Sequence, residues 1–301
     1  MMNFMKTLKE GRRILSNIRE WPFEQPHDLT ARTDDWTILR FLRGCKFSLE
    51  KTKSKLDMFY TCKNLTPEWY ANRDPLHPKS KRILPARMPK EKKLIFSATA
   101  YDKVGRKVVV IRAGLHDPNT TSMDEVFKAT HMISDLLCEE DFQHSVTGIS
   151  QVIDLAGVTA SHSLQMTPAL VKKAMTIWQD GYPIRQKAIH YINTPSFFQA
   201  VFSIFKTFMK EKIKKRVYVH GNNMESLYEH VPKNILPKEY GGSNGTVQDI
   251  VDYWCENVNK NRKWLLEDEK YKVDESKRPG KPKTSSELFG IEGSFRKLDV
   301  D

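Results

Sequence analysis

The feature that most constrains this chain is an unusually apolar segment followed at once by a basic run. Residues Phe197 to Met209 contain five phenylalanines. On a helix, the polar residues here share one narrow stripe, and most of the remaining surface is apolar. Such a helix must be buried or contact apolar material, yet at 1.5 Å per residue it spans only about 20 Å, too short to cross a bilayer. The stripe consists of Gln199, Ser203, Lys206 and Lys210.

Two interpretations fit the basic run that follows. An apolar helix joined to a basic cluster is typical of a movable cover that contacts an anionic membrane surface. A core helix followed by a solvated charged turn has the same composition, so this segment alone leaves both interpretations open. The run consists of Lys206, Lys210, Lys212, Lys214, Lys215 and Arg216.

Charge and cysteine usage narrow the class of protein. A net charge of +12 indicates an acidic partner, either nucleic acid or anionic lipid. The sequence contains no RGG tract, RNP motif or zinc finger, so we expect no nucleic-acid partner. Its four cysteines form no CxxC pair, which predicts a reduced, cytoplasmic protein without a metal site. No transmembrane helix or secretory signal is expected, and we expect a monomer that associates reversibly with membranes.

The order of predicted elements favours an α/β domain behind a small helical bundle. Residues 1–75 are predicted to be helical, 76–90 a linker, 91–245 the α/β domain, and 246–301 a last helix and a mobile tail. Strand and helix alternate in the α/β domain, which predicts a mostly parallel sheet with right-handed crossovers. Strands are predicted at 94–101, 107–113, 149–155, 187–193 and 216–220, and helices include 164–179, 196–209 and 247–269.

Motifs for catalysis are absent from the sequence. There is no phosphate-binding loop, no dinucleotide-binding glycine pattern and no GxSxG elbow. Asp154 ends a predicted strand, where catalytic acids often lie, but a strand-end Asp equally caps the following turn. We therefore expect a binding protein without a cofactor rather than an enzyme.

Two groups of residues favour an apolar pocket. Phe127, Thr130 and Ser134 share one stripe of a predicted helix, and this combination suits a mostly apolar ligand with one polar end. Ile177, Trp178, Tyr182 and Ile184 precede the predicted strand at 187–193. Ordinary core packing explains each of these residues singly, so both interpretations remain open.

Three long segments resemble the CRAL-TRIO (Sec14-like) lipid-binding domain. They read ISQVIDLAGVTASHSLQMTP, YPIRQKAIHYINTPSFFQAVFSIFKTFMKEKIKKRVYVHG and LPKEYGG. The earlier segment DDWTILRFLRGCKFSLEKT resembles the helical region that precedes this domain in the family. The similarity covers about residues 30 to 260 and is greatest to the branch with the tocopherol and retinaldehyde carriers and the clavesins. It implies a cytosolic carrier of one hydrophobic molecule, with the phenylalanine-rich helix as its lid.

The resemblance also implies site residues. Basic residues on either side of the lid would bind a phosphoinositide headgroup; they are Arg185, Lys187, Lys212 and Arg216. The implied lipid pocket consists of Phe127, Thr130, Ser134, Ile177, Trp178, Ile184, Ile189, Val201, Phe205 and Phe208. His131, Trp178 and Gln186 depart from the residues usual in the family, so the ligand stays open. A lipid-sensing regulatory module and, less favoured, a lipid-acting enzyme are the alternatives to a carrier.

Overall fold

The computed structural model of the protein describes residues 2–25, 29–77 and 96–290. The predicted linker at 76–90 lies almost wholly outside these residues. The chain begins with helices, as the sequence predicts: α1 (Met2–Glu20), a 3-10 turn (Trp21–Glu24), α2 (Asp35–Gly44), α3 (Leu49–Leu65) and α4 (Pro67–Tyr70). Asp34 caps α2 by accepting a hydrogen bond from the Thr37 backbone N–H at 2.8 Å.

Five strands form one mixed, mostly parallel sheet. They are β1 (Phe96–Tyr101), β2 (Lys107–Arg112), β3 (Ile149–Asp154), β4 (Gln186–Ile192) and β5 (Val217–Gly221), in the order β1-β2-β3-β4-β5. β1 is antiparallel to β2, and every other neighbouring pair is parallel. The predicted fold class is therefore confirmed, and the bounds of β2 to β5 differ from the predicted ones by at most one residue at either end.

Helices and turns connect and follow the strands. They are α5 (Met123–Glu140), α6 (Phe142–Thr147), α7 (Ala160–Gln165), α8 (Pro168–Thr176), a π-helical turn (Ile177–Gly181), α9 (Phe198–Phe208), α10 (Glu211–Lys214), α11 (Met224–Tyr228), α12 (Val247–Lys260), α13 (Arg262–Asp268) and α14 (Ser285–Phe289), with 3-10 turns at Lys233–Ile235, Lys238–Tyr240 and Glu275–Lys277. None of these described helices combines the length and apolar character that a membrane span requires.

Two predicted helices are wrong as single elements. The predicted helix at 164–179 is divided because Thr167 caps α8 by accepting from the Leu170 N–H at 3.3 Å. Pro168 then takes the first helical position, where its missing N–H costs nothing. The predicted helix at 247–269 likewise divides at Asn261, between α12 and α13.

The sheet has helices on both faces. On one face, Val110 and Val152 pack with Leu227 of α11 and Val251 of α12. On the other face, the apolar side of α9 packs over β4. This second contact joins Ile189 and Tyr191 with Phe198, Phe202 and Met209. The phenylalanine-rich helix therefore lies over one face of the sheet.

Residues after Asp274 differ from the predicted mobile tail. Arg278 donates to the Asp57 carboxylate of α3 at 2.8 Å. Phe289 is buried in a cluster that includes Trp69 and Tyr70. The local composition is polar and rich in proline, but its charged and aromatic residues find partners on helices that are distant in sequence. Residues 291–301 of the predicted tail lie outside the described part of the chain.

A buried ionic network joins the first helices to the rest of the molecule. Arg73 lies between two carboxylates, 2.6 Å from Asp135 of α5 and 3.0 Å from Asp268 of α13. Lys63 and Arg32 also contact Asp268, at 2.5 Å and 2.9 Å. All five side chains are mostly or wholly shielded from solvent.

Candidate functional site

A cavity of about 600 Å³ lies between the sheet and α9. Ligand-binding cavities typically have volumes of about 300–1,000 Å³. Its floor uses alternate residues of two strands, Gln151 and Ile153 of β3 and Ile189 and Tyr191 of β4. Because successive side chains of a strand point to opposite faces, this alternation assigns one face of the sheet to the cavity.

Helix α9 forms the facing wall. Its lining residues recur at helical spacing, whereas Gln199, Ser203 and Lys206 of the predicted polar stripe are exposed. The wall residues from α9 and the residue after it are Phe198, Val201, Phe202, Phe205 and Met209.

The structure brings seven of the ten predicted pocket residues to the cavity. These are Phe127, Thr130, Trp178, Ile184, Ile189, Val201 and Phe205. Ser134, Ile177 and Phe208 are not among the lining residues. The Ser134 hydroxyl donates to the Thr130 carbonyl at 2.7 Å, and the Thr130 hydroxyl donates to the Val126 carbonyl at 2.9 Å. Ile177 is instead buried in the cluster around Trp69.

A layer of aromatic rings supports one wall from behind. His131 is completely buried and stacks on Trp178 and Tyr182, with ring centroids 5.7 Å and 5.4 Å away. The Tyr182 hydroxyl donates to Asp135 at 2.6 Å. Burial, reinforced by the charge of Arg73, holds the pKa of His131 well below its usual range. His131 is therefore a neutral packing residue that fixes the position of Trp178.

The carboxyl-terminal end of α9 is held by one side-chain amide. Gln179 donates from Nε2 to the Phe208 carbonyl at 2.9 Å and accepts at Oε1 from the Lys210 N–H at 2.8 Å. Asp180 pairs with the Lys210 ammonium group beside it. These contacts form a latch, defined here as Gln179, Asp180 and Lys210, between α9 and the turn after α8.

All four predicted headgroup residues line one end of the cavity. Arg185 and Lys187 flank the start of β4, while Lys212 and Arg216 lie between α9 and β5. Lys212 is exposed and the other three are half-buried, so this end opens to solvent. Lys46, from the turn after α2, also lines the cavity, a contribution that the sequence did not predict. We call Arg185, Lys187, Lys212 and Arg216 the basic cluster.

The residues of the basic cluster repel one another. Burial, followed by the charges of Arg185 and Arg216, lowers the pKa of Lys187. The charge of Arg216, followed by burial, lowers the pKa of Lys212. Depressed lysine pKa values mean that the charged forms are unfavourably placed. An anion bound among these groups would relieve that repulsion.

Backbone contacts orient the basic cluster. Arg185 donates to the Val146 carbonyl at 2.5 Å, and Arg216 donates to the Gln186 carbonyl. Gly148 has a φ of +93°, and a Cβ there would lie 2.4 Å from the Arg185 carbonyl oxygen and 2.6 Å from Lys187 Cγ. A glycine is thus required where β3 begins beneath the cluster.

Asp154, the strand-end carboxylate, has structural partners. It accepts hydrogen bonds from the Tyr240 hydroxyl at 2.7 Å, from the Asn193 amide at 2.8 Å and from the Ala156 N–H at 2.9 Å. These contacts tie the turn after β3 to its neighbours. In residues 2–25, 29–77 and 96–290, no three His, Cys, Asp or Glu side chains form a group suited to a metal ion.

The sequence did not predict several of the polar residues that line the cavity. Gln151 lines it from the middle of β3, and His116 and His162 line it beyond the carboxyl ends of the strands. Gln151 alternates with Ile153 and Leu155 along the strand, so the period of two residues could have placed it on the face of the cavity. The two histidines lie outside the strands and share no local pattern that could have identified them.

Comparisons with known proteins agree with this architecture. The sequence profile of the CRAL/TRIO domain matches residues 91–242, and that of the Pinta-like UBA domain matches residues 7–80. The first match spans half of the chain, which therefore belongs to the CRAL/TRIO (Sec14-like) family of lipid-binding proteins.

The chain shares about a third of its residues or fewer with the individual relatives described next. The chain is 33% identical over 233 residues to the alpha-tocopherol transfer protein-like protein of Mus musculus, covering 75% of this chain and 62% of the relative. It is 28% identical over 229 residues to clavesin-1 of Xenopus laevis, covering 76% and 67%. The crystal structure of Sfh5 aligns with a TM-score of 0.44 and 17% identity over 72% of this chain and 74% of that one. The chain thus covers just under two thirds of the mouse relative's length.

Proposed function

We propose that this protein is a carrier that encloses one hydrophobic molecule beneath α9 and exchanges it at phosphoinositide-bearing membranes. The observation that carries the proposal is the cavity of about 600 Å³, with a mostly apolar floor and lid and the basic cluster at its open end. The ligand would be tocopherol-like, retinoid-like or another lipid of similar size. We expect the carrier to act as a cytoplasmic monomer without a cofactor.

Enclosure supplies the affinity for such a ligand. Each CH₂ group removed from water contributes about 0.8 kcal/mol, so a long apolar molecule gains considerably from this cavity. The same gain opposes release into water. Release into a bilayer carries no such penalty, because the ligand exchanges one apolar environment for another.

The basic cluster supplies a means of docking at the bilayer. A phosphoinositide headgroup would accept charge-assisted hydrogen bonds there, with the arginines able to bind phosphate in a bidentate manner. Lys215, on the turn next to the cluster, adds general attraction of about 1 kcal/mol near an anionic surface. For docking to open the lid, the headgroup must bind the open form more tightly than the closed form. The apolar face of α9 would then contact lipid in place of the cavity.

Phe205→Asp tests the enclosure. Phe205 lines the cavity, so a carboxylate there would be buried without a partner, and we expect loading of a pyrene-labelled alkyl chain to fall at least tenfold. Ser203→Asp is the matched control, because Ser203 is on the exposed side of the same helix and the variant should load normally. Full loading of the Phe205→Asp protein, measured by pyrene fluorescence, would contradict the enclosure.

Arg185→Ala combined with Arg216→Ala tests the docking. We expect normal loading, lost binding to vesicles that contain phosphatidylinositol bisphosphate, and slow transfer that added salt slows little further. Lys214→Ala combined with Lys215→Ala removes the same charge outside the basic cluster and should slow transfer less. Transfer by the double-arginine variant at the wild-type rate would exclude the cluster as the docking site. If the wild-type protein binds such vesicles and ligand but transfers nothing, the sensing alternative replaces the carrier.

A further inference from the structure

The cavity has a second end that is chemically unlike the basic one. Because β2 to β5 are parallel, their amino ends share one edge of the sheet and their carboxyl ends the other. The basic cluster lies at the amino edge. His116 follows the carboxyl end of β2, and His162 is on α7, which follows β3. A six-residue strand spans roughly 20 Å, so the two ends are separated by about that distance.

His116 is a buried polar group without a well-formed hydrogen bond. Its exposed fraction is 5%, and neither Nδ1 nor Nε2 makes a hydrogen bond of normal geometry within the described part of the chain, although the Ala113 carbonyl lies close enough to interact with the ring. The ring nevertheless lines the cavity. Buried polar groups are almost always hydrogen-bonded, and the exceptions commonly mark sites where a ligand or water completes the set.

The neighbouring His162 differs, because both of its nitrogens are occupied. Its Nδ1 accepts from the Thr159 N–H at 3.1 Å, so Nε2 carries the hydrogen and donates to the His116 carbonyl at 3.0 Å. The two rings meet edge to face with centroids 4.6 Å apart. His162 therefore holds the His116 backbone in place, and the His116 ring is the group of this pair whose nitrogens lack a well-formed hydrogen bond.

The His116 ring is neutral near pH 7. Burial, followed by the proximity of His162, lowers the pKa of His116 to about 4, although the Ala113 carbonyl and Asp117 act in the opposite direction. A neutral imidazole has one N–H donor and one bare nitrogen that accepts. A hydroxyl group can donate to the bare nitrogen or accept from the N–H. It therefore fits either tautomer, whereas a carboxylate brought here would be buried beside a neutral ring.

We infer that His116 is the polar anchor of the cavity and that the enclosed molecule is a hydrophobic alcohol, held with its hydroxyl at His116 and its apolar chain directed toward the basic cluster. This inference rests on the proposed carrier function. It places the uncharged polar end of the ligand at the inner end of the cavity. The charged headgroup of a membrane lipid would then be met only at the other end.

Binding of hexadecanol and hexadecane, each measured by displacement of a pyrene-labelled alkyl chain, tests the inference. Phenylalanine has a ring of similar shape to imidazole without polar atoms, so His116→Phe should weaken hexadecanol binding about tenfold and leave hexadecane binding within twofold. His116→Gln restores a donor and an acceptor and should recover most of the hexadecanol affinity. Met123→Leu changes an apolar lining residue and should affect both probes equally.

Two results separate the inference from the carrier function. Equal losses for both probes in His116→Phe would overturn the anchor and leave the carrier intact. Failure of the wild-type protein to bind either probe would overturn both. A measurement on the wild-type protein avoids any folding defect of the variants. Nitrogen NMR should show a shifted His116 ring resonance on adding hexadecanol and none on adding hexadecane, and an unmoved resonance with bound hexadecanol would overturn the anchor.

Discussion

At the scale of single residues, Gly148 shows how a backbone position controls a charged site. Its positive φ and the absence of a side chain let the Arg185 carbonyl and the Lys187 side chain pass directly over it. The geometry of two members of the basic cluster therefore depends on a residue that carries no charge.

Gly148→Ala should both destabilise the protein and weaken its binding to phosphoinositide vesicles. We expect a loss of more than about 1 kcal/mol in the free energy of unfolding, because the backbone conformation and the close contacts both oppose a methyl group. Gly280→Ala is the matched control, since Gly280 has a φ of +80° and no atom within 4 Å of a Cβ. Urea unfolding and vesicle sedimentation measure the two effects. The prediction fails if the two variants behave alike.

Residue patterns predicted much of the cavity and failed where local geometry changes. Phe127 and Thr130 line it, but Ser134, one turn further along α5, does not. Ile177 begins a π-helical turn with its carbonyl accepting from the Tyr182 N–H at 3.0 Å. This extra residue per turn rotates Trp178 and Gln179 toward the cavity in its place. His116 could not be predicted, because nothing in a loop sequence shows that a ring will lack well-formed hydrogen bonds.

At the scale of elements, α9 lies over the sheet and is hydrogen-bonded to the turn after α8 at its carboxyl-terminal end. The latch residue Gln179 makes two hydrogen bonds with the backbone where α9 ends, and both must break before that end can move. Besides these bonds and the Asp180–Lys210 pair, the apolar side of the helix packs against β4.

Replacing Gln179 by Met should speed exchange of a loaded pyrene-labelled chain. Methionine keeps the length of the side chain and removes both hydrogen bonds of the closed state. We therefore expect roughly tenfold faster exchange, together with a loss of about 1–2 kcal/mol in the free energy of unfolding of the loaded protein. Gln199→Met makes the same change on the exposed side of α9 and should exchange at the wild-type rate. Stopped-flow fluorescence measures the rate, and an unchanged rate for Gln179→Met would show that the latch does not limit opening.

The sequence predicted the strands more accurately than the segment at 275–289, because only the strands have a local apolar pattern. Strands β2 to β4 are largely buried, so runs of apolar residues define them closely, whereas β5 carries the exposed residues Tyr218 and Val219. The turn at Glu275–Lys277 and helix α14 have no such pattern. Arg278 and Phe289 are held by Asp57 and by the cluster around Trp69, and these partners are more than two hundred residues distant in the chain.

At the scale of the whole molecule, Asp268 is the carboxylate on which three buried cations depend. Burial alone would raise the pKa of Asp268, but the charges of Lys63 and Arg73 hold it below its usual range. A depressed carboxyl pKa contributes stability that is present above the unfolded-state value of about 3.9 and is lost as the pH falls through the native value. The contribution of this network to the free energy of unfolding is therefore kept as the pH falls, until Asp268 is protonated.

Asp268→Asn should destabilise the whole molecule. Removing one partner of a buried ionic network leaves charges uncompensated, so we expect a loss of about 3–5 kcal/mol in the free energy of unfolding at pH 7. Asp74→Asn is the control, because Asp74 pairs with Arg262 at 2.7 Å on the surface and its loss should cost less than about 1 kcal/mol. Urea denaturation of both variants measures the difference, and similar midpoints would contradict the role of the network.

The same network sets an order of events during synthesis. Lys63 leaves the ribosome 205 residues ahead of Asp268, and Val273, which completes the apolar core of the first helices, follows later still. At about 5–20 residues per second, translation of that interval takes roughly 10–40 s. For that time the nascent helices carry a lysine destined for burial without its carboxylate and a core without its last residue. Their final packing is therefore completed only after the sheet and α9 have been made.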